Sequence, residues 1–250
     1  MIRFEHVTKQ LGGRNVLDDL TFEIQKGEIF TIVGPSGTGK SVTLKHMVRL
    51  LTPTSGAVWI DGTEISAANG SELNRVRERF GYLFQGGALL GWMSVAENIA
   101  LPLREKTSLS EEEIAERVAR ALRAVGLEED GDKFPNEISG GMQKRAGLAR
   151  AIVNRPEIVL YDEPTSGLDP VTARTIDRLI RRLNEELGIT SVVVSHDLQG
   201  ALLIADRIAM LTGGKFVEVS PPKTFVATDQ ADVRSFLDAQ FIPKKGFEGM

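Results

Sequence analysis

Gly34-Pro35-Ser36-Gly37-Thr38-Gly39-Lys40-Ser41 is the stretch on which the fold turns. It fits G-x-x-x-x-G-K-[ST] without a mismatch. Before it runs the apolar segment Ile29-Phe30-Thr31-Ile32-Val33, which reads as a strand buried on both faces. After it Leu44, Met47, Val48 and Leu51 recur at helical spacing, with Pro53 and Gly56 expected to stop the helix. Strand, glycine-rich loop and helix in that order make a phosphate seat. The glycines let the backbone curl until successive N–H groups point inward, and the helix adds its positive N-terminal end. Lys40 supplies a mobile charge for β- and γ-phosphates, and the Ser41 hydroxyl stands where a Mg²⁺ ligand is needed. A chance glycine-rich turn is the plain alternative, and the strand–loop–helix setting argues against it.

The same alternation continues outward. Phe22-Glu23-Ile24 and Ala57-Val58-Trp59-Ile60 read as strands, the second followed by the turn Asp61-Gly62. From about Gln85 to Arg155 the pattern is mostly helical. Ser110-Glu111-Glu112-Glu113 matches a capping box, Ile114, Val118, Leu122 and Val125 form one apolar stripe, and Gly126 marks its end. Asp169-Pro170 starts a further helix whose apolar face holds Ile176, Leu179, Ile180, Leu183 and Leu187. Ile158-Val159-Leu160-Tyr161 and Ser191-Val192-Val193-Val194 read as two more buried strands. Strands alternating with helices predict a parallel sheet with right-handed crossovers.

Two of these strands end in chemistry. Asp162 and Glu163 follow the first, and in a parallel sheet the loops at the carboxyl ends of strands share one crevice. Asp162 is placed to hold Mg²⁺, and Glu163 to orient or deprotonate an attacking water. The second strand ends in Ser195-His196-Asp197, so the imidazole of His196 is expected to reach the same crevice and bond a γ-phosphate or the water. His6 and His46 read as surface histidines.

The chain of 250 residues has 30 Lys and Arg against 34 Asp and Glu, a net charge of −4, and 42% hydrophobic residues. That balance argues against nucleic acid as the main partner. With 0 cysteines there is no disulfide, thiolate nucleophile or cysteine metal site. The start, Met1-Ile2-Arg3-Phe4-Glu5-His6, carries charges where a signal peptide needs an apolar run, and no window reaches the apolar length of a membrane span. A cytoplasmic protein is expected, anchored by something else if it works at a membrane.

Five segments in order resemble the nucleotide-binding subunits of ABC transporters. They are the loop from Gly34 to Ser41, Gln85, Ile138-Ser139-Gly140-Gly141-Met142-Gln143-Lys144-Arg145, the run Asp162-Glu163 with Ser166-Gly167-Leu168-Asp169, and His196. The resemblance implies an α/β P-loop (RecA-like) core with a parallel sheet, an antiparallel β subdomain and an inserted α-helical subdomain. Residues 1–225 would form the ATPase domain, with 1–84 and 156–225 as core and 85–155 as helical subdomain, and 226–250 a tail. It implies ATP and Mg²⁺ as cofactors and a head-to-tail homodimer. ATP would be held by Gly34 to Ser41, Val42 and Gln85, and by Ser139, Gly140 and Gly141 from the partner subunit. The metal would be held by Ser41, Gln85 and Asp162, with Glu163, His196 and Lys40 catalytic.

Leu11, Val42 and Met142 depart from the broad family pattern, and Leu11 puts adenine stacking in doubt. The strings around Val42, Gly86-Gly87-Ala88-Leu89-Leu90, Leu101-Pro102-Leu103-Arg104-Glu105 and Gly141-Met142-Gln143-Lys144-Arg145 are similar to the ATPases of Mce/Mla-type phospholipid transport systems. That resemblance implies a membrane permease and an Mce-domain lipid-binding protein as partners, at the cytoplasmic face of an inner membrane. The apolar run from Gly86 to Met93 is expected to help line the permease groove, with Trp92 the residue most expected inside the core. The tail, with Pro243-Lys244-Lys245-Gly246, is expected to pack on the partner protomer.

Overall fold

The computed structural model describes residues 1–244; Lys245, Gly246 and the last four residues of the tail lie outside the described residues. In chain order the elements are β1 (Ile2–Leu11), β2 (Arg14–Ile24), β3 (Ile29–Val33), α1 (Lys40–Met47), β4 (Ser55–Ile60), β5 (Thr63–Glu64), α2 (Gly70–Glu78), β6 (Phe80–Leu83), α3 (Val95–Lys106) and α4 (Glu111–Val125). A 3₁₀ turn at Pro135–Glu137 precedes α5 (Gly140–Ile152), β7 (Ile158–Asp162), α6 (Pro170–Leu187), β8 (Thr190–Ser195), α7 (Leu198–Ile204), β9 (Arg207–Thr212), β10 (Lys215–Ser220), α8 (Pro222–Ala227) and α9 (Ala231–Ala239). They fall into two compact units, Met1–Glu78 with Thr190 onward, and Arg79–Ile189.

In the first unit β2, β1, β4 and β5 form an antiparallel sheet. Strand β3 pairs in parallel with β8 on one side and β9 on the other, and β10 closes the edge antiparallel to β9. All five residues of β3 and all six of β8 are buried, as apolar runs without alternation require. Helix α1 is shorter than the spacing predicts. Arg49 adopts a left-handed φ of 49°, and the N–H groups of Leu50 and Leu51 both return to the Lys45 carbonyl. The helix therefore ends at Met47, well before Pro53. His46, read as a surface residue, is buried, because it lies on the core side of α1 beside Met47. Its Nδ1 meets the Val42 carbonyl at 2.7 Å, and burial pulls its pKa below the ordinary value.

The polar-looking tail packs into its own unit. Phe225, Val226, Val233, Leu237 and Ile242 join Val33, Leu198 and Met210 in one core cluster. These side chains are buried within the chain's own first unit.

The second unit joins the parallel pair β6–β7 to α3, α4, α5 and α6. Its helix ends follow the sequence signals. The Ser110 hydroxyl accepts the Glu113 N–H at 3.2 Å while the Glu113 carboxylate accepts the Ser110 N–H at 2.8 Å, and Gly126 ends α4 at φ 66°. Asp169 caps α6 by accepting the Val171 and Thr172 N–H groups at 3.0 and 3.1 Å. Ile176, Leu179, Ile180 and Leu183 are buried, but Leu187, in the last turn, is exposed.

Candidate functional site

In the first unit the loop from Gly34 to Ser41 leaves the end of β3. Gly34, Gly37 and Gly39 have φ of 150°, 80° and 104°, values that L side chains rarely adopt. Two of these glycines are also required by space. A Cβ on Gly34 would lie 2.3 Å from the Leu211 carbonyl oxygen, and one on Gly39 would lie 2.8 Å from that of Val16. The loop is braced from inside. Thr38 Oγ1 donates to the Pro35 carbonyl at 2.9 Å, and Lys40 Nζ donates to the carbonyls of Gly34 and Pro35 at 2.8 and 3.0 Å. Lys40 is buried, while Ser41 and Val42 are half-buried. Gly39 caps α1 without a side-chain hydrogen bond, and the positive end of the helix dipole at this terminus favours an anion.

His196 belongs to the same unit. Val33 and Ser195 are register partners in the parallel pair β3–β8, so Gly34 and His196 leave the same end of neighbouring strands. His196 is exposed, and the turn that carries it is firmly held. Asp197 donates its N–H to Ser195 Oγ at 3.0 Å and caps α7 by accepting from Gly200 at 3.0 Å. The Gln240 amide bridges this turn, donating to the His196 carbonyl at 2.9 Å and accepting the Leu198 N–H at 3.0 Å. Leu11 ends β1 at the hairpin Gly12-Gly13 and is exposed.

The second unit carries Gln85, Ser139 to Gly141, Asp162 and Glu163. Asp162 ends the fully buried β7, and its carboxylate meets the Tyr82 hydroxyl at 3.4 Å. Burial, and then the Asp162 charge, push the Tyr82 phenol above its ordinary pKa, so it stays a neutral donor. Glu163 is buried and holds a left-handed φ of 50°. Ser139 caps α5, its hydroxyl accepting the Met142 N–H at 3.3 Å, and Gly140 lies exposed at the helix start. Gln85 is exposed on a turn whose next three residues all have positive φ.

Helix α5 reaches both of the other parts of this unit. Arg150 donates to the carbonyls of Gly87 and Ala88, each at 2.8 Å, and so fixes the turn after Gln85. Lys144 Nζ reaches the Glu163 carbonyl, and burial draws its pKa below the ordinary value against the opposing pull of Glu163 and Asp162. Sequence reading quoted Lys144 within the signature segment but gave no role of its own to Lys144, Arg150 or Tyr82. The small residues Ala146, Gly147, Ala149 and Ala151 were the one available signal, since they mark a helix built for close approach.

Trp92, expected in the core, is 77% exposed. The buried Asn98 explains how its loop stands without it. The Asn98 amide donates to the carbonyls of Leu90, Met93 and Ser94 and accepts the Leu90 N–H, which satisfies the loop backbone from below.

Residues 17–166 match the ABC transporter family model. The chain is 44% identical over 241 residues to a probable ribonucleotide transport ATP-binding protein, mkl, of Mycobacterium leprae, covering 96% of this chain and 70% of that one. It is 40% identical over 240 residues to the intermembrane phospholipid transport system ATP-binding protein MlaF of Haemophilus influenzae, covering 96% and 91%. A methionine import ATP-binding protein, MetN, of Carboxydothermus hydrogenoformans is 44% identical over 202 residues, covering 81% and 60%. Among solved structures, a dimeric ATP-binding cassette in a post-hydrolysis state with ADP and phosphate matches with a TM-score of 0.81 at 36% identity, covering 89% of this chain and 99% of that one. With a phosphate loop, a carboxylate-tipped strand and a signature helix in one fold, the chain belongs to the ABC transporter family, as an ATP-hydrolysing cassette of the Mla/Mkl type.

Proposed function

We propose that this cassette powers phospholipid transport between an inner and an outer membrane, as a homodimer working with a separate permease and an Mce-domain lipid-binding protein. The observation that carries the reading is the similarity to the phospholipid transport protein across 91% of that relative's length, tail included, whereas the methionine import relative is matched over 60% of its own. No helix among the described residues is long and apolar enough to cross a membrane. By analogy with the transport relatives, the proposed place is peripheral, on the cytoplasmic face of an inner membrane, held by the permease.

The loop from Gly34 to Val42 binds the phosphates of ATP through its N–H groups, Pro35 having none, and through the Lys40 ammonium. Glu163 orients or deprotonates the attacking water, and His196 bonds the γ-phosphate or that water. Ser139, Gly140 and Gly141 receive the nucleotide held by the partner subunit. For Mg²⁺ the donors are the Ser41 hydroxyl, the Asp162 carboxylate and the Gln85 amide oxygen. These are hard oxygen ligands, and among the described residues no group of three or more acidic or histidine side chains forms a cage of its own. Such a set suits an ion that takes its other oxygens from phosphate and water. When bound, Mg²⁺ neutralises phosphate charge.

The permease contact is assigned to the second unit. A cleft of about 490 Å³ between α3 and α4 has an apolar floor with Ala100, Ile114, Val118 and Leu122 and an acidic rim with Glu97, Glu128 and Glu129. Such a cleft suits an amphipathic cytoplasmic helix with basic flanks, and the exposed Trp92 lies on the loop that leads into α3.

Affinity purification of the chain from its own cell tests the reading. A permease and an Mce-domain protein should copurify, with ATPase activity stimulated by phospholipid. Recovery of a periplasmic amino-acid receptor and stimulation by methionine would move the assignment to an importer. Glu163→Gln should bind ATP, lose turnover and accumulate as a dimer; unchanged turnover removes the role given to Glu163.

A further inference from the structure

Lys144 sits one turn into α5, behind the exposed start at Gly140. The residue is only 4% exposed. Its ammonium donates to the Glu163 carbonyl at 3.2 Å and to Ser166 Oγ at 3.3 Å, and the Ser166 hydroxyl donates to the same carbonyl at 3.0 Å. Two donors from different elements thus close on one backbone oxygen. Glu163 has a use for them. A left-handed backbone at a residue other than glycine costs about 1–2 kcal/mol, and it persists only where the surroundings over-determine it.

Packing alone does not ask for a lysine here. A buried ammonium is expensive, and a methionine fills the same length without that penalty. What the ammonium adds is a directional link from the signature helix to the backbone of Glu163, the residue proposed to orient the attacking water. In a head-to-tail dimer, Ser139-Gly140-Gly141 meets the nucleotide bound by the partner subunit, while Glu163 serves the nucleotide bound by its own chain. One rigid helix then touches both sites.

We propose that Lys144 is a positioning residue that couples the two ATP sites of the dimer: it transmits the seating of α5 on one nucleotide to the backbone of Glu163 at the other. This rests on the reading that the signature segment receives the partner subunit's ATP.

The test is ATP-dependent steady-state turnover of the full chain, in its transporter complex, for wild type, Lys144→Met, Lys144→Arg, Ser166→Ala and Ser139→Glu. Wild type should show a Hill coefficient near about 2, the two-site limit. Lys144→Met should bring it to about 1 and lower kcat about tenfold, with fluorescent-ATP affinity changed less than about twofold. Lys144→Arg, which keeps a cationic donor, should restore most of the cooperativity. Ser166→Ala should lower it part-way and add little to Lys144→Met, and it carries the same expectation if Lys144→Met fails to fold. A Hill coefficient of about 1 in wild type, or one unmoved by Lys144→Met and Ser166→Ala while kcat falls, overturns the coupling and leaves Lys144 a structural brace. Ser139→Glu separates the two levels. It should abolish cooperative turnover by placing a charge against phosphate; if turnover is unchanged, the reading beneath the proposal fails instead.

Discussion

Replacing Gly34 by alanine isolates what the phosphate loop requires of its backbone, and Gly37 is its internal control. Both have positive φ, 150° and 80°. At Gly37 an added Cβ meets nothing within 4 Å, so alanine there brings only backbone strain, about 1–2 kcal/mol. At Gly34 the Cβ would stand 2.3 Å from the Leu211 carbonyl oxygen, in β9, and 3.3 Å from Thr38 Oγ1. Neither strand can give way cheaply, because β3 and β9 are hydrogen-bonded partners in register from Phe30 with Arg207 to Val33 with Met210. The loop must therefore shift by about 1 Å, adding about 1–3 kcal/mol of overpacking to the strain. That shift also moves the Gly34 carbonyl that receives Lys40 Nζ. A displacement of this size costs about a hundredfold in turnover efficiency. Urea unfolding should place Gly34→Ala about 2–5 kcal/mol below wild type and Gly37→Ala within about 2. ATPase assays should put kcat/KM down about a hundredfold for the first and within about tenfold for the second. Equal effects of the two substitutions, in either assay, would refute the steric account.

The buried carboxyl of Asp177, 3% exposed in α6, makes stability depend on pH. Burial raises its pKa from 3.8 to about 6, Arg174 and Arg178 opposing, and its Oδ2 accepts no hydrogen bond although Arg174 Nε lies 3.3 Å away. The folded state therefore prefers the protonated form, and stability from this group is present below about pH 4 and lost as pH rises through about 6. Asp177→Asn should gain about 1–3 kcal/mol at pH 7.5, and the gain should vanish at pH 4 by urea unfolding. Asp169→Ala removes the acceptor of two N–H groups at the start of α6, and calorimetry should show a loss of about 0.5–2 kcal/mol. Trp92→Glu should leave the melting temperature within about 2 °C, since the side chain is exposed, and should reduce recovery of the membrane partner on copurification.

The glycine loop after β3 and the strand ending in Asp162 were legible because their signals are local: a few adjacent residues make the turn, and an apolar run on one side fixes its place in the sheet. Caps were legible for the same reason, as Ser110 and Asp169 show. The failures share a different cause. Trp92 is hydrophobic, but whether it is buried depends on Asn98, which supports the loop from below. The end of α1 depends on a left-handed arginine, Arg49, that no helix-stop signal marks. His46 sits one residue from Met47 on the core side of a helix, and a polar name concealed a buried place. The tail looked polar because its apolar residues, Val233, Leu237 and Ile242, are few and widely spaced, yet each meets the core.

Helix α5 shows why the least local features matter most. Gly147 lies inside it, where glycine costs about 1 kcal/mol of helix stability against alanine. Propensity alone would favour alanine. But an alanine Cβ would stand 2.8 Å from Leu83 Cδ1 and 3.1 Å from the Gly87 carbonyl, and it would push the helix off β6 and the turn after Gln85. Arg150, one turn on, needs that closeness to reach the Gly87 and Ala88 carbonyls at 2.8 Å. Lys144, one turn back, needs it to reach Glu163 at 3.2 Å. A weak helix former in mid-helix is therefore what lets one rigid element touch the glutamine turn, the signature start and the carboxylate strand at once. β6 and β7 already join the glutamine turn to the carboxylate strand through the pair Leu83 with Tyr161, and α5 is the element that brings the signature start into contact with both.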